Sequence, residues 1–109
     1  MDKTLQDIIE ELKKDDVPPR RLSEILQRLS SESGQRTYLL IEILKEKPML
    51  WTQLRQGVKS DTQADREWER TKPGQAEMLI RLEMKMIDRM SSAVRTRIGV
   101  LSGEARGYY

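Results

Sequence analysis

The 109-residue chain contains no cysteine, no histidine and no phenylalanine. Without cysteine there is no disulfide framework, no thiolate nucleophile and no zinc knuckle, a composition that fits a reducing compartment. Without histidine, the commonest general base and the commonest metal ligand are both missing, so any chemistry falls to carboxylates, lysines and tyrosines. No run of about 18 apolar residues occurs, and Met1-Asp2-Lys3-Thr4 leads into no signal-type apolar core. Neither a membrane span nor a membrane partner is expected, and the cytoplasm is the expected location. No glycine-rich phosphate loop or nucleophile elbow appears. The absences together predict a protein that is not an enzyme, with no cofactor and no bound metal.

What is present is charge and spaced aliphatics. Hydrophobic residues make up 37% of the chain and charged residues 35%, with a mean hydropathy of -0.71. So little apolar material cannot fill a thick globular core, but it suits helices that each bury one stripe and solvate the rest, and oligomerisation would bury more. The net charge is only +2. Residues 1–34 and the 60–74 stretch are net acidic, whereas 35–59 and 75–109 are net basic, a mild excess far from the dense basic footprint of a dedicated duplex-DNA binder.

Leu5, Ile8, Ile9 and Leu12 fall at the spacing of one helical face. Thr4 and Asp7 resemble a capping box at its start. Asp15-Asp16-Val17-Pro18-Pro19 ends that helix, because consecutive prolines remove two amide donors, and Pro19 can open the next one. Leu22, Ile25, Leu26 and Leu29 mark the second helix, which is expected to run out in Ser30-Ser31-Glu32-Ser33-Gly34. Arg20, Arg21 and Arg28 on it invite comparison with a DNA-reading helix. The acidic balance of residues 1–34 opposes phosphate, so a packed pair of short helices is the better reading.

A coiled-coil-like seam of Leu40, Leu44, Lys47, Trp51, Leu54 and Val58 follows, in register across Pro48, and predicts one kinked helix over 35–58. The clearest periodicity is Ile80, Ile87, Val94 and Leu101 at seven-residue intervals, flanked by Leu79, Met86, Ala93 and Val100 and filled in by Met90 and Ile98. It predicts a helix from Gln75 to Leu101, about 40 Å long, with Gly103 as its stop signal. Similar reach favours an antiparallel pair in which residues 37–58 face residues 80–101. Between them, Ser60-Asp61-Thr62-Gln63 has capping-box form, and Ala64 to Arg70 predicts a short connecting helix.

The fold expected is therefore all-α: a long antiparallel, coiled-coil-like helical hairpin over 35–109, with its connector at 59–74, joined to an N-terminal pair of short helices over 1–34. The whole is read as one cooperative unit.

Chemical groupings are sparse. Asp61, Asp65 and Glu69 would line one helix face and offer oxygens to a hard cation, but Arg66 and Arg70 lie alongside, as on an ordinary solvated acidic face. Arg81, Lys85 and Arg89 form a basic stripe that Arg95, Arg97 and Arg106 extend. These are the candidate nucleic-acid contacts, although Glu77, Glu83 and Asp88 interrupt them in the manner of a charged coiled-coil exterior. Tyr38, Tyr108 and Tyr109 are the only stacking platforms besides the two tryptophans. Trp51 on the seam reads as core. Trp68 sits in a highly charged segment, where a ring packed on a neighbouring helix and a partner-facing anchor are the two readings. Leu39, Ile41, Ile43 and Met84 lie off the seams, so Trp68, Leu39, Ile43 and Met84 are the candidate partner-facing residues.

Trp51, the run Ser60-Asp61-Thr62-Gln63-Ala64-Asp65-Arg66-Glu67-Trp68, and Ser92-Ala93-Val94-Arg95-Thr96-Arg97 resemble segments of uncharacterised small helical proteins encoded by bacteriophages and prophages. The resemblance covers about the last 60 residues. It implies a phage origin and hence a host-cytoplasmic location, and no activity. The function expected is that of a self-associating helical interaction protein with a protein partner, in the phage case a host factor. Accessory nucleic-acid binding through the basic stripe is the alternative.

Overall fold

The computed structural model describes residues 3–106, which form four helices and no strand: α1 (Lys3–Leu12), α2 (Pro19–Gln56), α3 (Asp61–Arg70) and α4 (Lys72–Arg106). Tyr108 and Tyr109 lie outside the described residues, as does the Arg106 side chain. Pro19 opens α2 as expected, whereas α1 already ends at Leu12, ahead of the Asp15–Pro19 stretch expected to stop it. The chain gathers into two compact units, one made of the chain up to Ser33 with the chain from Met86 on, the other of Gly34–Lys85. Helices α2 and α4 contribute to both.

In the first unit, Leu5 and Ile8 of α1, Val17 of the linker, Leu22, Ile25 and Leu29 of α2, and Ile87 and Val94 of α4 form one buried cluster. Leu12, Leu26, Met86, Met90, Ile98 and Leu101 pack around it. Each fully buried leucine or isoleucine is worth about 1.5–3 kcal/mol relative to exposure. Arg97 donates to the Leu12 and Lys14 carbonyls at 3.0 Å each, satisfying orphan acceptors at the end of α1. Arg21 holds α1 against α2 by donating to both carboxylate oxygens of Glu11.

In the second unit, α2 and α4 run antiparallel. Lys47 meets Glu77 at 3.0 Å and Arg36 meets Glu83 at 3.5 Å, so descending numbers on α2 face ascending numbers on α4. The last turns of α2 have a different neighbour. Arg55 pairs with Asp61 at 2.7 Å, and the Trp51 indole donates to Asp65 at 2.8 Å, which lays α3 antiparallel on that stretch. The expected cap at Ser60 forms, with Gln63 N–H donating to Ser60 Oγ, but the Gln63 side chain accepts from Lys59 N–H and not from Ser60 N–H, so the reciprocal half of the box is shifted by one residue.

The all-α hairpin of two long helices is what the periodicity predicts, and α2 continues through Pro48 as the register requires. Four details differ. The second N-terminal helix is not short, because α2 runs without a break through the serines and Gly34 to Gln56. Packing of Leu29, Glu32, Arg36 and Leu40 on one buried face outweighs the weak helix propensity of that stretch. Consequently residues 37–58 do not face the whole of 80–101: Ile87 and Val94 pack with Leu5, Leu22 and Leu29 instead. Leu44 leaves the seam and is exposed, while Ile43 is half-buried. Finally, α4 runs past Gly103 to Arg106 and begins at Lys72, and α3 begins at Asp61.

Candidate interaction surface

The second unit is organised around one carboxylate. Glu77, at the first turns of α4, is buried and accepts from Lys47 of α2 at 3.0 Å, from the Trp68 indole of α3 at 2.9 Å and from Arg81 of its own helix at 3.0 Å. The Lys47 ammonium also lies 5.2 Å from the centroid of the Trp68 ring, within cation–π range. Burial alone would raise the Glu77 pKa. The three donors outweigh it and hold the carboxyl below its ordinary value, so it is ionised at neutral pH.

The corner between α3 and α4 consists of Thr71 alone. Its hydroxyl donates to the Trp68 carbonyl at 2.6 Å and accepts from Gly74 N–H at 3.0 Å, so one side chain ends one helix and caps the next. The bend is sharp enough that a Cβ on Gly74 would stand 1.8 Å from the Trp68 carbonyl oxygen and 2.7 Å from its carbon. Only glycine permits that approach of backbone to backbone. Glu77 and Gly74 thereby fix where Trp68 sits, and Trp68 with Ala64 forms the buried face of α3.

The same unit carries most of the exposed apolar side chains. Of the exposed large hydrophobic side chains among the described residues, Tyr38, Leu39, Ile41, Leu44 and Met49 of α2 and Met78, Leu79 and Leu82 of α4 belong to the second unit. Val100 alone belongs to the first. Helical geometry puts Leu39 on the same flank of the hairpin as Leu79, since each precedes its seam residue, Leu40 or Ile80, by one position in an antiparallel pair, whereas Leu82, two positions after Ile80, lies on the outer face of α4. On the opposite flank, Leu44, Pro48, Trp51 and the stem of Lys47 line a shallow apolar cleft.

The expected partner-facing residues divide. Leu39 is half exposed. Trp68 is 4% exposed and is therefore not a partner anchor; its ring packs inside the unit and its N–H is taken by Glu77. Ile43 and Met84 are half-buried along the hairpin. Met78, Leu79, Leu82, Tyr38 and Met49 stand outside the residues the sequence pattern marks as contacts. Leu79 falls on the flank of the seam, and the signal that finds the others is their position on the helix faces left over once the seam is assigned. The Glu77 node was likewise missed, because Lys47, Trp68 and Glu77 are brought together by the corner and share no spacing in sequence.

The basic stripe is also redistributed. Arg81 is tied to Glu77 and Arg97 to the end of α1. Lys85, Arg89 and Arg95 are exposed and form no ion pair among the described residues. Arg20, Arg21 and Arg28 all stand in ion pairs with glutamates within the first unit. Asp61 and Asp65, two of the acidic trio on α3, are engaged by Arg55 and Trp51. Among the described residues no group of three or more acidic side chains is placed to hold a metal ion, and no helix is long and apolar enough to cross a membrane. No family model, curated protein or solved structure matches this chain.

Proposed function

We propose that this is a non-catalytic helical interaction protein that self-associates and binds a protein partner through the apolar surface of its second unit. One observation carries the reading: the exposed leucines, isoleucine, methionines and tyrosine are concentrated between Tyr38 and Leu82. Single exposed hydrophobics are ordinary, but their concentration on one unit marks that unit as the part that meets other chains. Leu39 and Leu79 on one flank, Leu44 on the other, and Ile41 and Leu82 on the outer helix faces are the proposed contact residues. The chain's own chemistry supports a non-catalytic role, since neither histidine nor cysteine is available to it. The resemblance to phage-encoded helical proteins favours a bacterial host protein as the partner, met in the host cytoplasm.

The test is light scattering and affinity capture from bacterial lysate, with and without nuclease, comparing the natural chain with Leu39→Asp/Leu82→Asp. The expected outcome is an oligomer and a nuclease-resistant partner, both lost in the double variant while its circular dichroism is unchanged. A strict monomer that captures nothing would sink the reading.

A second reading is favoured by one specific observation, the three exposed cations Lys85, Arg89 and Arg95 on α4. An accessory nucleic-acid contact there would bind single- or double-stranded DNA with an affinity that falls steeply with salt. Charge reversal at Lys85 and Arg89 would weaken it, whereas reversal at Arg97 would instead damage the fold through the α1 carbonyls.

A further inference from the structure

We infer that α3 is a hinged latch: it swings off the last turns of α2 as one piece, about Thr71, while α1, α2 and α4 remain folded. The inference does not depend on which partner the apolar surface meets.

Two features make the motion local. On the hinge side, the link between α3 and α4 is a single residue, so a change at Thr71 alone redirects the whole ten-residue helix. On the other side, α3 joins α2 by the short stretch 57–60. Nothing in α3 beyond Ala64 and Trp68 is buried. Its remaining attachments to α2 are polar and wet: the Arg55–Asp61 pair has side chains 39% and 77% exposed, and the Trp51–Asp65 hydrogen bond is also exposed. Exposed pairs of this kind contribute little and are weakened further by salt. An element held by two buried side chains and wet polar ties opens at far lower cost than one in a continuous apolar cluster.

The closed position nevertheless has a definite catch. Trp68 reaches across the corner to Glu77, Lys47 lies over its ring, and Gly74 allows the Trp68 carbonyl to come close. When the latch opens, the Trp68 indole gives up Glu77, and Lys47 and Arg81 remain to neutralise that carboxylate. The buried charge is therefore not orphaned, and the open form keeps the α2–α4 pairing. Opening uncovers Trp68 and releases the Trp51 indole from Asp65.

Hydrogen exchange read by mass spectrometry on the full chain tests this. The amides of Ala64–Trp68 are expected to exchange together, at least about tenfold faster than those of Leu22–Leu29 and Ile87–Val94, as for a subglobal opening. Raising salt to about 0.5 M should widen that gap, because the attachments of α3 are polar. Asp65→Ala should speed α3 exchange and leave Ile87–Val94 unchanged, and Gly74→Ala should do so more strongly, with Trp68 becoming accessible to acrylamide. Exchange of Ala64–Trp68 in step with Ile87–Val94 would overturn the latch. A gradient of fraying inward from Asp61, in place of a single cooperative group, would overturn it equally.

Discussion

The two units are built from the same two long helices, yet they solve the burial problem in opposite ways. In the first, α1 supplies a third apolar face, and eight buried aliphatics close into one cluster. In the second, the buried apolar side chains are only Leu40, Ala64, Trp68 and Ile80, and the interior is completed by Arg36 and Glu77. Paired buried charges stabilise less than the same volume of packed hydrocarbon, but removing one partner leaves the other stranded. The lesson is that a heptad seam specifies pairing without ensuring a core. Where a third apolar helix is present, the seam becomes a core. Where the third helix is the polar α3, the flanks stay uncovered and the interior depends on Lys47, Trp68 and Glu77.

The sharpest way to break this contrast is truncation in the first unit. Leu22→Ala or Val94→Ala removes a side chain with 0% exposure, and Leu22→Ala is expected to cost about 2–5 kcal/mol in urea or thermal unfolding. The same change at Met49, 63% exposed, should move stability by less than about 0.5 kcal/mol. Equal effects at the two sites would refute the asymmetry.

In the second unit the largest response should come from the polar node. Glu77→Gln is expected to cost about 2 kcal/mol, because Lys47 and Arg81 lose their shared counter-charge. The effect has a pH signature. The Glu77 pKa is depressed in the folded protein, so its contribution is present above the unfolded value and is lost as pH falls through the folded one. Urea titrations from neutral pH downward should therefore show the gap between the natural chain and Glu77→Gln closing below about pH 4.5. A gap that stays constant into strong acid would show that the carboxylate charge is not what holds the node.

Glycine substitutions give the finest comparison. Gly34 and Gly99 are helical, with nothing within 4 Å of an added Cβ, so alanine at either should stabilise by about 0.5–1 kcal/mol. Gly74→Ala meets the Trp68 carbonyl and should destabilise by more than the other two gain. Thermal melts of the three variants would show the opposite signs directly.

Much of this architecture is written in local pattern. The seven-residue recurrence from Ile80 to Leu101, Pro19 as the start of a helix and the cap at Ser60 each report a short-range physical demand, and each is met where the sequence places it. The exposed flanks are legible only in part. Leu39 and Ile41 stand off the seam on sight, but Leu44 fits the seam spacing as well as Ile43 does, and only packing chooses between them. The continuity of α2 through Ser30–Gly34 is hidden for the opposite reason, since local propensity argues against a helix that tertiary burial sustains.

The sequence by itself determined that the chain is helical, how long its apolar stripes are and which residues lie along them, because helical periodicity depends on near neighbours alone. Tertiary structure decided which stripe meets which: Ile87 and Val94 going to α1 and the start of α2, α3 taking the end of α2, and Lys47, Trp68 and Glu77 converging at one point. Those choices depend on distances between residues tens of positions apart, and a corner one residue long sets the last of them.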